Sequence, residues 1–327
     1  MCMTHNYGDA SRAYSFEYFN FYLCLKQMGH DVELFDYLAE LNAHGKQQMN
    51  QKLLKYVQET RPDLCLFSLY TDQFEPETVQ QLRTYTKTLC FFHDDTWRID
   101  YSRYWAQFFD YFTTTDIFGE IKYREMGLPN AIYFPFGFNP AYSKKLDLPK
   151  QYDVSFVGGW HPYRAWLIQR LRDAGIQVSV FGHRWPNGEI DQARMVEVFN
   201  QSKINLNLSN SASWDLRYLL SSPKALINRI RSRKNTEQMK ARLFEVGGCG
   251  AFQLTYFVEG LANCFEIEKE IAVYADADDL ISKVQFYLGH DALREQMAAA
   301  SYQRACKEHT FEQRFNQAFQ RMGLIDA

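Results

Sequence analysis

Short apolar runs alternate with amphipathic stretches along the first 140 residues. The runs are continuous and lack the polar–apolar alternation of a strand with one solvated face. Helical spacing of apolar residues fills the gaps at 15–28, 42–59, 75–86 and 117–127. Because strands buried on both faces occur in parallel sheets covered by helices, the pattern predicts an α/β domain with a doubly wound parallel sheet. Its predicted strands are "MCMTH" at the start of the chain, "DVELFDY" (31–37), "LCLFSLY" (64–70), "TLCFFHD" (88–94), "YFTTTD" (111–116) and "AIYFPFGF" (131–138).

The same alternation restarts after a break at 139–152, "NPAYSKKLDLPKQY". Two prolines and a charge run interrupt the pattern there, so we place a linker at 141–152. Beyond it the predicted strands are "DVSFVGG" (153–159), "QVSVFGH" (177–183), "INLNLS" (204–209), "AFQLTY" (251–256) and "EIAVYA" (270–275). The predicted helices cover 162–174, 190–201 and 236–247, and several helices follow within 277–323.

The chain is therefore expected to form domains at 1–140 and 153–310, with a C-terminal helix at 311–327 that can pack back on the first domain. The predicted fold class is α/β, with two Rossmann-like doubly wound parallel-sheet domains facing a central cleft. Ligands of such sheets bind at the carboxyl ends of the strands, which places the expected site in that cleft. The segment 210–235 has no clean strand pattern and predicts a long, partly helical insertion.

Composition narrows the class of protein. Of the 327 residues, 36 are Lys or Arg and 39 are Asp or Glu, which argues against a nucleic-acid-binding protein that works through a broad basic face. The seven cysteines are scattered and form no CxxC pair, so we expect buried thiols rather than disulfides or a zinc site. The chain has neither an apolar run of about 20 residues nor a signal-peptide core. We therefore expect a cytoplasmic protein, with peripheral contact to a membrane left open.

A local basic cluster departs from the mixed charge of the rest. It comprises Arg229, Arg231, Arg233 and Lys234 within the predicted insertion. Such a run is either the solvated face of a helix or a surface for a polyanionic substrate or a membrane.

The predicted helix 236–247 carries the first candidate site. Glu237 and Glu245 would lie about 12 Å apart along its axis. A carboxylate there can accept hydrogen bonds from a ribose diol, and Lys240 and Arg242 can neutralise phosphates near the amino-terminal turn. Gly247, Gly248 and Gly250 follow as a GGxG exit. The alternative is a surface pair of Arg242 and Glu245 on a helix with a Schellman-type end.

The stretch "FVGGWHPYR" (156–164) is the second candidate. Gly158 and Gly159 end a predicted strand and let a phosphate approach backbone N–H groups, and Arg164 would stand in the first turn of the next helix. The stretch is no GxGxxG motif, and His183 rather than an acidic residue ends the following strand, which disfavours a nicotinamide site. His183 could line a base or sugar pocket, or could belong to an ordinary turn.

The stretch "FFHDDTW" (91–97) is the third candidate. His93, Asp94 and Asp95 stand at the end of a predicted strand in the first domain. Carboxylates there could take a proton from a sugar hydroxyl, orient an acceptor or hold a divalent cation. Alternatively, one of the two aspartates caps the following helix.

The segments "RLFEVGGCGAF", "EIAVYADADDL" and "HTFEQRF", in this order, closely resemble the CgeB-like, spore-maturation type of group-1 glycosyltransferases. The resemblance covers about 153–315 and extends more weakly through "FFHDDTW". It implies the GT-B fold, in which the second domain holds most of a nucleotide-sugar donor. No bound metal or other cofactor is expected, because basic side chains and a helix amino terminus stabilise the leaving diphosphate.

The resemblance also assigns roles to residues. It implies that Glu245 holds the donor ribose, and that Arg164 and Arg242 contact the diphosphate. The glycines at 247–250 would allow close approach of the chain. Glu237 matches the first glutamate of an E-x7-E pattern by its spacing alone, since the usual glycine-rich loop around it is missing. His93, Asp94 and Asp95 would meet the acceptor or the sugar.

The sequence therefore predicts a hexosyltransferase-like enzyme that moves a sugar from a nucleotide-sugar to an acceptor hydroxyl. The acceptor is a saccharide, a lipid-linked molecule or a protein, and no nucleic acid is expected as a partner. Two alternatives remain at this point: a sugar- or nucleotide-binding module without turnover, and a nucleotide-sugar 2-epimerase of the same fold.

Overall fold

The structure, a computed structural model, describes residues 1–209, 211, 213–234 and 236–326. The chain divides into two compact units. Unit 1 comprises Met1–Pro135 together with Phe311–Ala327, and unit 2 comprises Phe136–Thr310. Within unit 2, residues 139–151 contain neither helix nor strand. No helix in the described part of the chain combines the length and the hydropathy needed to cross a membrane.

Unit 1 is built on a six-stranded parallel sheet in the order β2-β1-β3-β4-β5-β6. The central strands are apolar on both faces, as predicted. Only two residues of the predicted strand 31–37 pair in the sheet, because the neighbouring strand β1 is itself only two residues long. The strands are β1 Cys2–Met3, β2 Phe35–Asp36, β3 Leu64–Ser68, β4 Lys87–Phe91, β5 Tyr111–Thr114 and β6 Ala131–Tyr133.

The helices of unit 1 cover both faces of this sheet. A π-helical turn, Tyr18–Tyr22, leads into the first helix. The second helix starts earlier than predicted and is interrupted at Gly45, whose φ of 81° is not helical. The helices are α1 Leu23–Gln27, α2 Tyr37–Thr60, α3 Pro76–Leu82, α4 Ile99–Ala106, α5 Gly119–Glu125 and, from the end of the chain, α14 Phe311–Arg321.

Helix α14 completes the aromatic core on one face of the unit 1 sheet. The ring centroid of Phe311 lies 5.2 Å from that of Phe21 and that of Phe315 lies 5.3 Å from that of Phe134. Lys87 Nζ donates to the backbone oxygen of Met322 over 2.8 Å, which ties the end of this helix to β4. Ala327 of the predicted segment 311–327 lies outside the described residues.

Unit 2 is built on a five-stranded parallel sheet in the order β11-β10-β9-β7-β8. Both sheets reverse their strand order next to the first strand of the unit: β1 lies between β2 and β3, and β7 lies between β8 and β9. Such a reversal leaves a crevice outside the carboxyl ends of the two strands that flank it. The strands are β7 Tyr152–Val157, β8 Val178–Phe181, β9 Ser202–Asn207, β10 Gln253–Tyr256 and β11 Ala272–Tyr274.

The helices of unit 2 depart from the prediction in two places: the helix predicted over 236–247 begins only at Ala241, and a short helix at Leu261–Cys264 was not predicted. The several helices predicted within 277–323 are three, the last of which is α14. The segment 210–235 contains two short helices, and its residues Asn210, Ala212 and Asn235 lie outside the described residues. The helices are α6 Pro162–Asp173, α7 Gln192–Gln201, α8 Leu216–Ser221, α9 Pro223–Arg231, α10 Ala241–Gly248, α11 Leu261–Cys264, α12 Ala277–Leu288 and α13 Asp291–Glu308.

The seven cysteines are thiols, and six of them are buried. Cys2 and Cys65 lie together in the core of unit 1, with their Sγ atoms 3.6 Å apart.

Gly248 allows α10 to pack closely on Phe138. A Cβ atom at this position would lie 2.3 Å from the Phe138 ring, which is fully buried. We expect Gly248→Ala to lower the free energy of unfolding by about 1–3 kcal/mol through overpacking, although alanine is the better helix former. Urea denaturation measures this difference. Gly289→Ala is the control, because the nearest atom to its Cβ would be 3.6 Å away. Equal stability of the two variants would contradict the packing role of Gly248.

Candidate active site

The strand reversal in unit 2 brings the predicted glycines and Arg164 together at the carboxyl ends of β7 and β9. Gly158 and Gly159 follow β7, and Ser209 lies two residues beyond β9. Arg164 in the first turn of α6 spans the two strand ends: Nη1 donates to Gly159 O over 2.9 Å, and Nη2 donates to Ser209 O over 3.4 Å. Pro162 at the first position of α6 presets the backbone for the helix.

Three buried polar atoms at this point have no hydrogen-bond partner within the described residues: His161 Nδ1, Arg164 Nε and Ser209 Oγ. Burial lowers the pKa of His161 to about 4, and the nearby charges of Arg164 and Lys234 add to this effect. The imidazole is therefore neutral at neutral pH. Since buried polar groups are normally paired, three such atoms around one helix amino terminus make it a candidate position for a polar ligand.

Two acid–base pairs lie beside Arg164. Lys234 Nζ donates to Glu237 Oε2 over 2.9 Å, and Arg242 Nη1 donates to Glu245 Oε2 over 2.8 Å. Glu237 and Arg242 are close enough to act on the pKa of Arg164, and Lys240 is close enough to act on that of Glu237. Arg164, Lys234, Lys240 and Arg242 thus face two carboxylates. The group therefore has an excess of two positive charges, which suits a diphosphate.

Glu237 precedes α10 and is not part of it. Lys240 is the N-cap of this helix, so Glu237 reaches the site from an extended segment. Its Oε1 accepts from the backbone N–H of Ser211 over 3.3 Å. Burial raises the pKa of Glu237, against the opposing effect of Lys234. The carboxylate is held in place on both oxygens and remains partly exposed, with 17% of the side-chain surface accessible.

Glu245 lies inside α10 and is only 2% exposed. Arg242 lies over it and also contacts Phe199, with the guanidinium carbon 5.4 Å from the ring centroid. The Glu245 carboxylate is therefore covered by Arg242 in this structure. A ligand reaches it only when that side chain, which is 27% exposed, moves aside.

Glu245→Gln should become more stable relative to the wild type as pH rises. Burial raises the pKa of Glu245, although Arg242 opposes this. A carboxyl whose pKa is raised by folding stabilises the fold below its unfolded pKa, and this contribution is lost as pH rises through the raised value. Glutamine does not titrate, so the difference in unfolding free energy, variant minus wild type, should increase from about pH 4 to about pH 8. Denaturant titrations across this range measure it.

Glu259→Gln is the control for this prediction, because Glu259 is an exposed carboxyl of the same unit. The same pH dependence of the difference in both variants would contradict the burial effect.

The glycines of the candidate site differ in what they approach. A Cβ on Gly158 would lie 2.8 Å from the Phe156 ring, whereas one on Gly159 would meet no atom within 4 Å. A Cβ on Gly247 would lie 3.1 Å from Ser301 Oγ, and Gly248 packs on Phe138. The close approach that Gly247 and Gly248 permit is thus to protein side chains, and Gly159 is the one of the four beside open space.

His183 is tied to the same loop only through its backbone, whose oxygen accepts from Trp160 N over 3.0 Å. Its side chain is 67% exposed, and Nδ1 lies 2.8 Å from Glu189 Oε1. The structure therefore places the His183 imidazole in solvent, away from the charged group around Arg164.

In unit 1, His93 stands beyond the carboxyl end of β4 and contacts two residues outside the predicted motif. His93 Nε2 lies 3.0 Å from Glu17 Oε1 and 2.8 Å from Ser68 Oγ, and Ser68 Oγ lies 3.0 Å from the same carboxylate oxygen. Burial acts to raise the pKa of Glu17, but the charge and hydrogen bond of His93 bring it below its usual value. Glu17 is thus a buried carboxylate held against His93 and Ser68.

The two aspartates after His93 have different environments. Asp95 is 2% exposed, and its Oδ1 accepts from the backbone N–H of Thr115 over 3.1 Å and from its hydroxyl over 2.9 Å. Thr114 Oγ1 donates to Asp95 Oδ2 over 2.5 Å. Asp95 is therefore enclosed by the loop after β5. Asp94 is half-buried, and its backbone oxygen accepts from Arg98 N over 3.0 Å.

Sequence reasoning missed four residues of these two groups: Glu17, Ser68, His161 and Ser209. His161 and Ser68 lie near the ends of predicted strands, and this position could have identified them as candidates. Glu17 lies in a stretch that looked only helical, and its contact with His93 spans 76 positions of the chain. Within the described residues, no group of three or more His, Cys, Asp or Glu side chains is arranged to hold a metal ion.

A sequence-family model described as glycosyl transferase-like matches residues 164–320. Spore protein CgeB of Bacillus subtilis (strain 168) is 24% identical over 238 residues, which covers 67% of this chain and 70% of CgeB.

Solved structures share the fold at low sequence identity. A glycosyltransferase from Rickettsia africae ESF-5 superposes with a TM-score of 0.62 at 11% identity, covering 93% of each chain. Anabaena HepE, solved in complex with UDP and glucose, gives a TM-score of 0.63 at 10% identity, covering 93% of this chain and 89% of HepE. Sucrose-phosphate synthase from Thermosynechococcus elongatus gives 0.58 at 15% identity, covering 85% and 77%. The predicted GT-B fold is confirmed.

Proposed function

We propose that the chain transfers a sugar from a nucleotide-sugar donor to an acceptor hydroxyl, because residues 164–320 match a glycosyl transferase-like family model and the chain is similar to CgeB. The observation that carries this proposal is the set of unpartnered atoms on His161, Arg164 and Ser209 at the strand reversal of unit 2. It is supported by the excess of cationic side chains around them.

The donor diphosphate is proposed to bind at the amino terminus of α6. The positive end of the helix attracts phosphate oxygens, and the Gly159 N–H lies between two N–H groups, those of Gly158 and Trp160, that already donate to Phe181 O and His183 O. The Arg164 guanidinium can keep its contact to Gly159 O while its Nε atom donates to a phosphate. Open space beside Gly159 admits the ligand.

Bond cleavage leaves negative charge on the departing nucleoside diphosphate. Arg164, Lys234, Lys240 and Arg242 are proposed to stabilise that charge without a bound metal. Glu237, held by Lys234 and Ser211 N, is proposed to orient a sugar hydroxyl. Glu245 is proposed to accept from the ribose once Arg242 turns from it to the diphosphate.

Unit 1 is proposed to bind the acceptor beside His93. The imidazole is 26% exposed and backed by the Glu17 carboxylate, so it can take a proton from a hydroxyl and hold it as the imidazolium. Asp95 is proposed to hold this loop in position, because its two oxygens accept hydrogen bonds from the hydroxyls of Thr114 and Thr115 and from the backbone N–H of Thr115.

Thermal-shift titration of the whole chain with UDP, GDP, ADP and CDP tests the donor site. A nucleotide that binds only the folded state raises the melting temperature, by mass action. We expect UDP to give the largest shift, because UDP is the nucleotide in the HepE complexes of the same fold. Inorganic phosphate at equal concentration is the control for a nonspecific anion effect. No shift with any of the four diphosphates would contradict the proposal.

Mass spectrometry of the products then identifies the reaction. A sugar joined to a saccharide acceptor supports transfer. A changed sugar formed without any acceptor indicates a 2-epimerase, and nucleotide binding without any product indicates a binding module.

A further inference from the structure

Helices α8 and α9 and the residues just before them expose a continuous group of large apolar side chains. Their exposure runs from 43% to 84%, whereas such side chains are mostly buried elsewhere in unit 2. We call this group the α8–α9 face; it comprises Trp214, Leu216, Leu220, Leu226, Ile227 and Ile230. Single exposed apolar residues are ordinary, but a group of this size on one segment marks an interaction surface.

The pattern along α9 shows two distinct sides. Ile230 lies three residues after Ile227 and four after Leu226, so the three side chains share one side of the helix. The opposite side contains Ala225 and Arg229, which are both buried against the protein. The apolar residues are therefore not needed for packing within the unit.

Cations flank the apolar side of α9. Lys224 and Arg231 are seven residues apart, two turns along the same flank, and both are exposed. Arg233 follows and is also exposed. Over 216–236 the sequence has six Lys or Arg residues and neither Asp nor Glu. The other three basic residues here have partners inside the protein: Arg217 pairs with Asp215 and Asp278, Arg229 lies 4.2 Å over the Trp214 ring, and Lys234 pairs with Glu237.

We propose that the α8–α9 face docks on an anionic lipid bilayer, with α9 lying in the plane of the interface. An apolar helix side that enters the acyl boundary, beside cations at the level of anionic headgroups, is the arrangement of an interfacial helix. The proposal does not rest on the proposed enzymatic function.

Charge favours this occupant over a second copy of the chain. Two copies related by a two-fold axis through this face would bring together two surfaces that both carry Lys224, Arg231 and Arg233, and like charges at close range oppose association. The apolar side chains also project outward from a short helix. A bilayer accepts a projecting apolar side without a shaped groove, whereas a protein partner must supply one.

The test is flotation of the full chain with vesicles of phosphatidylcholine alone and vesicles that contain about a third phosphatidylglycerol. Binding is expected only to the anionic vesicles and should weaken strongly between about 0.1 M and 1 M salt, over which the Debye length falls from about 10 Å to about 3 Å. Absence of binding to anionic vesicles at low salt would overturn the proposal.

Two double variants separate the apolar and the charged contributions. Ile227→Ser with Ile230→Ser is expected to weaken binding at least about tenfold, because both side chains leave the acyl boundary. Lys224→Gln with Arg231→Gln is expected to weaken it about 30-fold. All four residues are exposed, so circular dichroism should show an unchanged fold.

Matched controls use exposed residues that are not part of this face. Ile121→Ser with Phe286→Ser, and Lys55→Gln with Lys307→Gln, should bind as the wild type does. Equal binding by the wild type and both α8–α9 variants would overturn the proposal. So would a concentration-dependent dimer in sedimentation that the isoleucine variant abolishes, since the face would then join two copies.

Discussion

Arg164→Ala is expected to weaken binding of a nucleoside diphosphate about 100-fold. Each hydrogen bond between a guanidinium and a phosphate contributes about 1.5–3 kcal/mol, and 1.4 kcal/mol corresponds to a tenfold change in affinity. Arg164 is the cation that joins the ends of β7 and β9, and its buried Nε has no hydrogen-bond partner among the described residues. Isothermal titration with UDP measures the change.

Arg170→Ala is the matched control, because Arg170 lies on the same helix and its side chain is 40% exposed beside Asp278. It should bind UDP within about twofold of the wild type. Arg164→Ala also removes two hydrogen bonds to backbone oxygens, so its melting temperature without ligand must be measured in parallel. Wild-type affinity in a folded Arg164→Ala protein would exclude the proposed diphosphate site.

The second large effect is expected at His93. His93→Gln should lower turnover by about 10²–10⁴-fold, the usual contribution of a positioned proton acceptor. Glutamine keeps a polar side chain near Ser68 and Glu17 but cannot take up a proton at neutral pH. The affinity for UDP should stay unchanged, because His93 belongs to unit 1 and the proposed diphosphate site belongs to unit 2. Steady-state rates of sugar transfer, with the acceptor varied, measure the loss.

His44→Gln is the control for this variant, since His44 is a half-exposed histidine of α2 outside the His93 group. It should keep full turnover. Glu17→Gln should give an intermediate loss, because the imidazolium that forms during transfer loses its carboxylate partner. Full turnover in His93→Gln would remove His93 from the reaction.

The sheets were predictable because their strands are short, continuous apolar runs, a pattern that only strands buried on both faces require. Boundaries were less predictable where tertiary contacts override local preference. Residues 236–240 have a helical composition, yet Gln238 and Met239 are buried in an extended segment, and α10 begins after them. The predicted strand 31–37 was likewise longer than the observed β2, since an edge strand pairs only as far as its neighbour extends.

The arrangement of the candidate residues was less predictable than the fold. The sequence placed the centre of the candidate site at the amino end of the predicted helix 236–247, whereas the unpartnered polar atoms surround the amino terminus of α6. The exposures of Glu237 and Glu245 also differ far more than a shared spacing pattern suggests. Such differences depend on which strand ends are neighbours, and strand order is a long-range property that local patterns do not contain.

Helix α14 sets the order in which the chain can finish folding. Phe311 and Phe315 belong to the aromatic core of unit 1, yet the ribosome adds them only after all of unit 2. During synthesis, the sheet of unit 1 therefore lacks the side chains of α14 until the whole of unit 2 has been made. Premature termination near residue 310 would remove apolar cover from the half that was made first.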